Sequence, residues 1–154
     1  MTTLLRFFIL LSIVVWLGGI IFFSFVEAPN VFGVLMPTNG GQHLAGEIVS
    51  PSLRMLHIVG LVCGAVFLTS AYALRKKVFS AASALIVAMI FLTVASQFVV
   101  TPRLEQIRHS ASGDIQPPQR PEFDKLHTLS VGLEGVTLLC GLAALWFVAR
   151  EPRE

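Results

Sequence analysis

Four apolar runs of membrane-spanning length dominate this 154-residue chain: Leu4–Val26, Leu53–Leu74, Val78–Val100 and Thr128–Ala149. Each is close to the ~20 residues that a helix needs to cross the hydrocarbon core. Lipid offers no partner to backbone N–H and C=O groups, so each run must satisfy them internally, as a helix. The charge content agrees, at 13% of residues against roughly 25% in soluble domains. The expectation is an all-α protein, a single transmembrane domain over 1–154. It is an integral membrane four-helix bundle that runs up, down, up, down.

The first run begins with a basic residue, Arg6, and reaches Val26-Glu27-Ala28, which loosely imitates a signal cleavage site. Its apolar core is longer than the ~7–15 residues of a signal, and Pro29 would follow the cut. It is therefore expected to be retained as the first span. Net charge is +2, and no basic cluster alternates with aromatics, so a nucleic-acid surface is not expected. Lys and Arg placement reads instead as topology. Arg6, the turn Arg75-Lys76-Lys77 and the tail Arg150/Arg153 fall on one side and hold six of the eleven basic residues. The other side has none from Val26 to Leu53, although its second loop carries Arg103, Arg108, Arg120 and Lys125 among acids. Acids count little in the positive-inside rule. Both termini are expected in the cytoplasm, with the chain in a bacterial inner membrane.

Gly18-Gly19 in the first span, and Gly60 with Gly64 in the second, offer close-packing faces. Pro29 either kinks or ends the first helix. A first loop is expected over about Val31–Pro51, with Ser50-Pro51 as N-cap and first helical residue of the second span. Thr101-Pro102-Arg103 marks the exit of the third span, with Leu104–His109 able to continue as helix. Ser110–Pro121 reads as irregular, and Pro121-Glu122-Phe123-Asp124 as a helix start. Cys63 and Cys140, the only cysteines, lie 6 and 13 residues past His57 and His127. Their depths then differ by roughly 10 Å, beyond the ~7 Å that a disulfide allows between Cα atoms.

The residues that carry chemistry are few. His57 opens the second span and His127 the fourth, and in this topology those two helices run parallel across the core. Seven-residue steps return to nearly the same helix face, giving the stripes His57, Gly64, Ala71 and His127, Glu134, Gly141. The stripes are expected level for level, His57 beside His127 and Gly64 beside Glu134. Glu134 is the costliest residue, since a carboxylate inside a span must be paired, protonated or hydrated. Ser96, Gln97 or a backbone carbonyl is its expected partner. Either it only packs, or it is a proton or cation site. The facing imidazoles admit three readings: both axial ligands of haem b, a copper or other transition-metal site with Met55 and His43, or plain interfacial hydrogen bonding. Glu27, Arg54 and Arg103 sit near the same helix ends. A Glu27–Arg103 or Glu27–Arg54 pair would tie the first span to its neighbours, unless Arg54 and Arg103 hold an anionic group such as a lipid phosphate or haem propionate. No CxxC, Gly-rich phosphate loop, HExxH or GxSxG is present, which disfavours hydrolase chemistry.

Trp16-Leu17-Gly18-Gly19 running into Phe22-Phe23, then Ala28-Pro29 and Phe32, resembles the first segment of small membrane proteins related to transmembrane protein 205. Gly46, Pro102-Arg103, Phe123…His127…Leu133 and Gly141-Leu142 are similar to the later segments. The resemblance implies a four-helix membrane bundle and brings no catalytic residue. The Trp-x-Gly-Gly segment also resembles four-span proteins of copper resistance and of haem biosynthesis. The latter type places a histidine about two turns before the Trp, where this chain reads Phe8-Ile9-Leu10, so no oxidase activity is implied.

The functional expectation is a membrane protein without turnover of its own, binding haem b or a metal in a polar intrabundle pocket lined by His57, His127, Glu134 and Arg103. The alternatives are an accessory subunit that packs against other integral membrane subunits, and a small transporter.

Overall fold

The computed structural model describes residues 2–75, 80–110 and 115–150, and all regular structure in them is helical. Helix α1 (Thr2–Phe22) passes through a π-turn (Phe23–Glu27) into α2 (Ala28–Leu35). Helix α3 (Gly41–Arg75) is continuous. Helix α4 (Ala81–Ala95) passes through a second π-turn (Ser96–Val100) into α5 (Thr101–Ser110), and α6 (Arg120–Ala149) closes the bundle. Four continuous helical stretches are long and apolar enough to cross a membrane: Thr2–Leu35, Gly41–Leu74, Ala81–His109 and Arg120–Ala149. The protein is thus an all-α, four-helix integral membrane bundle.

Every span outruns the apolar run that marks it. The first does not stop at Pro29, and the third continues past Pro102. Proline lacks an N–H, and its ring presses on the carbonyl four residues back. Here each proline follows a widened turn. The Ala28 N–H donates to the Phe23 carbonyl and the Thr101 N–H to the Ser96 carbonyl, both i to i−5. Each wide turn ends two residues before its proline, which makes room for the ring near the carbonyls of Phe25 and Phe98. The helices therefore carry through where a regular turn would break.

The expected first loop shrinks to Met36–Gly40, where Gly40 takes φ 72°, a conformation that suits glycine. Ser50 and Pro51 lie inside α3 rather than capping it. The segment before them, from Gly41, is also helix, packed beside α2 and reached by Arg108 of α5 at the Gly46 carbonyl. By contrast, α6 starts as expected, with Pro121 in its first turn and Glu122 near the positive end of its dipole. Ser80 caps α4, accepting the Ser83 N–H at 3.1 Å. Lys76, Lys77, Asp114 and Arg153 lie outside the described residues.

The first span packs on the second and fourth, and the third packs on the same two, so the second and fourth spans face each other diagonally. Trp16 fills the centre with Ile13, Ile20, Phe67, Ile86 and Met89. Close approach there depends on glycine. A Cβ on Gly60 would stand 2.3 Å from Trp16 Nε1, and one on Gly64 2.8 Å from Ile90 Cδ1. Gly19 is likewise filled by Leu56, whereas Gly18 has open space beside it. In lipid the gain from such contacts is van der Waals packing rather than water release. The outward face is correspondingly apolar, with Phe91, Phe98 and Leu139 each at least 66% exposed. Cys63 and Cys140 are both free.

Candidate functional site

The costly carboxylate finds its partner across the diagonal. His57, 2% exposed, lies against Glu134 with Nε2 2.5 Å from Oε1. Its Nδ1 lies 2.8 Å from Gln97 Oε1. The second π-turn holds Gln97, and α3 and α6 hold the other two, so three helices close on one imidazole. Both neighbours present oxygen. An imidazolium donates to both; a neutral imidazole donates from Nδ1 to Gln97 and accepts the Glu134 proton at Nε2. In either form one proton lies between His57 and Glu134.

This corrects the expected register. His57 stands level with Glu134, not with His127, which is two turns away and about 10 Å along the axis. His127 is exposed and stacks on Phe123, with ring centroids 6.1 Å apart and planes 3° from parallel. The two histidines therefore do not face each other as paired axial ligands. Gly64 opens room for Ile90 and Trp16 rather than for Glu134. Of the expected partners of Glu134, Gln97 takes the imidazole's other nitrogen, and the Ser96 hydroxyl is buried without a partner. The register slipped because a carboxylate and an imidazole inside a span satisfy each other, and two like rings at the interface gain nothing comparable.

Beside this pair lies a cleft of about 590 Å³ between the first and fourth spans. Its walls are apolar, from Phe23, Phe25 and Phe32 on one side to Phe123, Val131 and Leu138 on the other. Phe25 and Val131 are also 69% and 59% exposed, so the mouth opens on the outward apolar surface of the bundle. The first span touches the fourth chiefly through α1. The π-turn and Pro29 mark where the two helices part. Glu134 and His127 line this cleft, but His57 and Arg103 do not.

The other expected site residues lie elsewhere. Arg54 donates to Glu105 at 3.0 and 3.1 Å, at a second recess between α3 and α5. Arg103 is exposed and lines neither space. Glu27 pairs with neither arginine among the described residues. Met55 is exposed, and His43 is half-buried with Nδ1 unpartnered. Among the described residues, no three His, Cys, Asp or Glu side chains gather in a way that could hold a metal ion.

One residue at the cleft was missed. Arg108, only 9% exposed, donates through Nη1 to the Gly46 carbonyl at 3.0 Å and to Ser50 Oγ at 2.7 Å. A Cβ on Gly46 would sit 2.5 Å from its guanidinium carbon, so only glycine leaves it room. The signal was present: Thr101, Leu104 and Arg108 fall on one helical stripe once the third span runs past Pro102.

Residues 11–112 match the family model described as a domain of unknown function, DUF4149. No curated protein and no solved structure matches the chain.

Proposed function

We propose that this chain, which belongs to the DUF4149 family, is a binding protein without turnover of its own that takes a hydrophobic or amphipathic molecule from the bilayer. One observation supports this above the rest. The cleft is apolar-walled, of ligand-pocket size at about 590 Å³, and open toward lipid. Its polar groups are few, which suits orientation of a ligand rather than chemistry on it. The Lys and Arg distribution argues for cytoplasmic termini in an inner membrane, which would set the cleft in the outer half of the bilayer. The finer kinship with proteins related to transmembrane protein 205 is proposed on the same segment, since Trp16 anchors the core and Ala28-Pro29 lines the cleft.

Haem b is the second reading, now through His127 alone as a ligand on the cleft wall, because His57 is occupied by Gln97 and Glu134. The test is purification in mild detergent, followed by absorption spectroscopy and mass spectrometry of bound small molecules, on the wild type and on Gly135→Phe. Gly135 lines the cleft with nothing within 4 Å of a Cβ, so a larger side chain there fills the cleft without disturbing the helix packing. The expected result is a bound apolar molecule that Gly135→Phe expels. A Soret band lost in His127→Ala would favour haem. An empty wild-type protein that co-purifies with larger membrane subunits would refute the cleft reading in favour of an accessory role.

A further inference from the structure

We infer that the occupant of the cleft carries an anionic head group, a phosphate or carboxylate, which docks on Arg108 and Thr101 while its apolar chain lies between the first and fourth spans. The inference rests on the cleft being a ligand site.

Arg108 is nine-tenths buried, and among the described residues only its Nη1 is bonded to the protein. A guanidinium carries five N–H donors in a planar fork that matches phosphate and carboxylate oxygens. Here the Nη2 and Nε donors make no hydrogen bond among the described residues. Thr101 lies two turns, about 10 Å, nearer the start of the same helix and also on the cleft, in the direction in which a helical arginine side chain leans, and its buried hydroxyl has no partner among the described residues. A buried hydroxyl without a partner is costly unless something satisfies it, and the Arg108 fork on the same wall offers an oxyanion a second anchor.

Glu47 and Glu105 lie near enough to act electrostatically on Arg108, but neither is hydrogen-bonded to it. Glu105 is taken by Arg54 at 3.0 Å, and Glu47 lies 3.7 Å from His109. Both line the second recess, which Arg108 also borders, and neither lines the cleft. Within the cleft, Glu134 is engaged by His57 and Asp124 is exposed. Arg108 therefore brings positive charge to the cleft wall, while its neighbouring carboxylates border the second recess.

Depth selects an amphiphile over a free ion. Arg108 lies 27 residues beyond Ala81, or roughly 40 Å along the span at 1.5 Å per residue. The hydrocarbon core is only ~30 Å thick. Glu134, 15 residues before Ala149, stands at about 22 Å from the same end. The cleft thus runs from head-group level down into the hydrocarbon, with the cation at its head-group end and apolar walls below. A single-chain anionic lipid has that distribution of charge and grease.

The experiment uses the full chain in neutral detergent and four probes, oleate, oleoyl lysophosphatidic acid, monoolein and inorganic phosphate, with binding read by native mass spectrometry. The two anionic lipids should bind about tenfold or more tighter than monoolein, the size of one charge-assisted contact. Arg108→Gln should abolish that preference and Arg108→Lys keep part of it. Thr101→Val should weaken the anionic probes about threefold and leave monoolein unchanged. Because Thr101 makes no side-chain bond to the protein, this variant also decides the matter if Arg108→Gln does not fold. Equal binding of oleate and monoolein, or a preference that survives both Arg108→Gln and Thr101→Val, overturns the inference. So does inorganic phosphate binding as tightly as the lipids. If monoolein binds and Gly135→Phe expels it without any anion preference, the cleft stands and only the head-group site falls. If no probe binds, both fall.

Discussion

The contact between His57 and Glu134 should be measurable as a coupling energy. His57→Ala removes a side chain that is 2% exposed, leaves Gln97 without its partner and strands Glu134 in the bundle. Breaking a buried pair by removing one member costs about 3–5 kcal/mol, and Glu134→Ala should fall at the lower end because its side chain is 11% exposed to the cleft. Interhelical hydrogen bonds in membranes average ~0.6 and reach ~1.7 kcal/mol, and charge-assisted bonds are roughly twice as strong as neutral ones. The double variant should therefore be less destabilised than the sum of the singles by about 1–3 kcal/mol. Glu134→Gln, which can still bond to the ring, should cost about 1 kcal/mol or less. The assay is reversible denaturation in mixed micelles, followed by circular dichroism, on the wild type, both singles and the double. Independent sites add to within ~0.5 kcal/mol. A coupling no larger than that would show that the imidazole and carboxylate do not meet in the membrane, and the register built on them would be wrong.

Two further outcomes follow from packing and exposure. Gly60→Ala forces a methyl to 2.3 Å from Trp16 Nε1 and should destabilise the bundle by about 1–3 kcal/mol, whereas Gly18→Ala, with open space beside it, should be neutral or stabilising by about 0.5–1 kcal/mol; a thermal melt in detergent that ranks them in the other order would refute the placement of Trp16. Arg54→Ala should change stability by no more than about 1 kcal/mol, because its pair with Glu105 is 52% exposed on the arginine side and screened. The same melt at low and high salt checks that estimate, and a loss well above it would mean the pair is shielded from solvent.

Much of the fold was legible in the residues, and the reason is the solvent. A chain in lipid must close its backbone hydrogen bonds locally, so apolar length alone marks the four helices. The glycine face of the second span was readable too, because nothing but close packing explains Gly60 and Gly64 one turn apart. What misled were the prolines. Pro29 read as a kink or an end, Pro51 as a helix start and Pro102 as an exit, but α3 runs straight through Pro51 and a π-turn lets the helix run on before each of the other two, which no residue pattern announces. The site suffered most from that error. With the third span leaving the membrane at Pro102, Leu104–His109 could be helix, but nothing fixed its direction, so Arg108 could not be placed beside Gly46. Glu134 was legible as a group in need of a partner, and Gln97 was at hand. Heptad arithmetic gives the face of a helix and not its height against a neighbour, so the choice between His127 and Glu134 as the neighbour of His57 could not be made from spacing.

The two π-turns connect these features. One holds Gln97 on His57, and the other lies where the first span leaves the fourth and the cleft begins. Replacing either with a regular turn would rotate everything beyond it by about 100°, one residue's turn in a 3.6-residue helix. Past the second π-turn that rotation would carry Thr101, Leu104 and Arg108 off the cleft together. Past the first it would move Phe32 off the cleft wall. Each proline thus maintains a local widening that orients the distal half of its helix, and the cleft exists only while both distal halves keep that orientation. The His57–Glu134 pair fixes the depth at which the helices are held, since among the described residues it is the one strong polar contact across the diagonal. Loss of the pair should therefore loosen the inner end of the cleft through Glu134, while the Arg108 end, tied to Gly46 and Ser50 by its own bonds, stays in place.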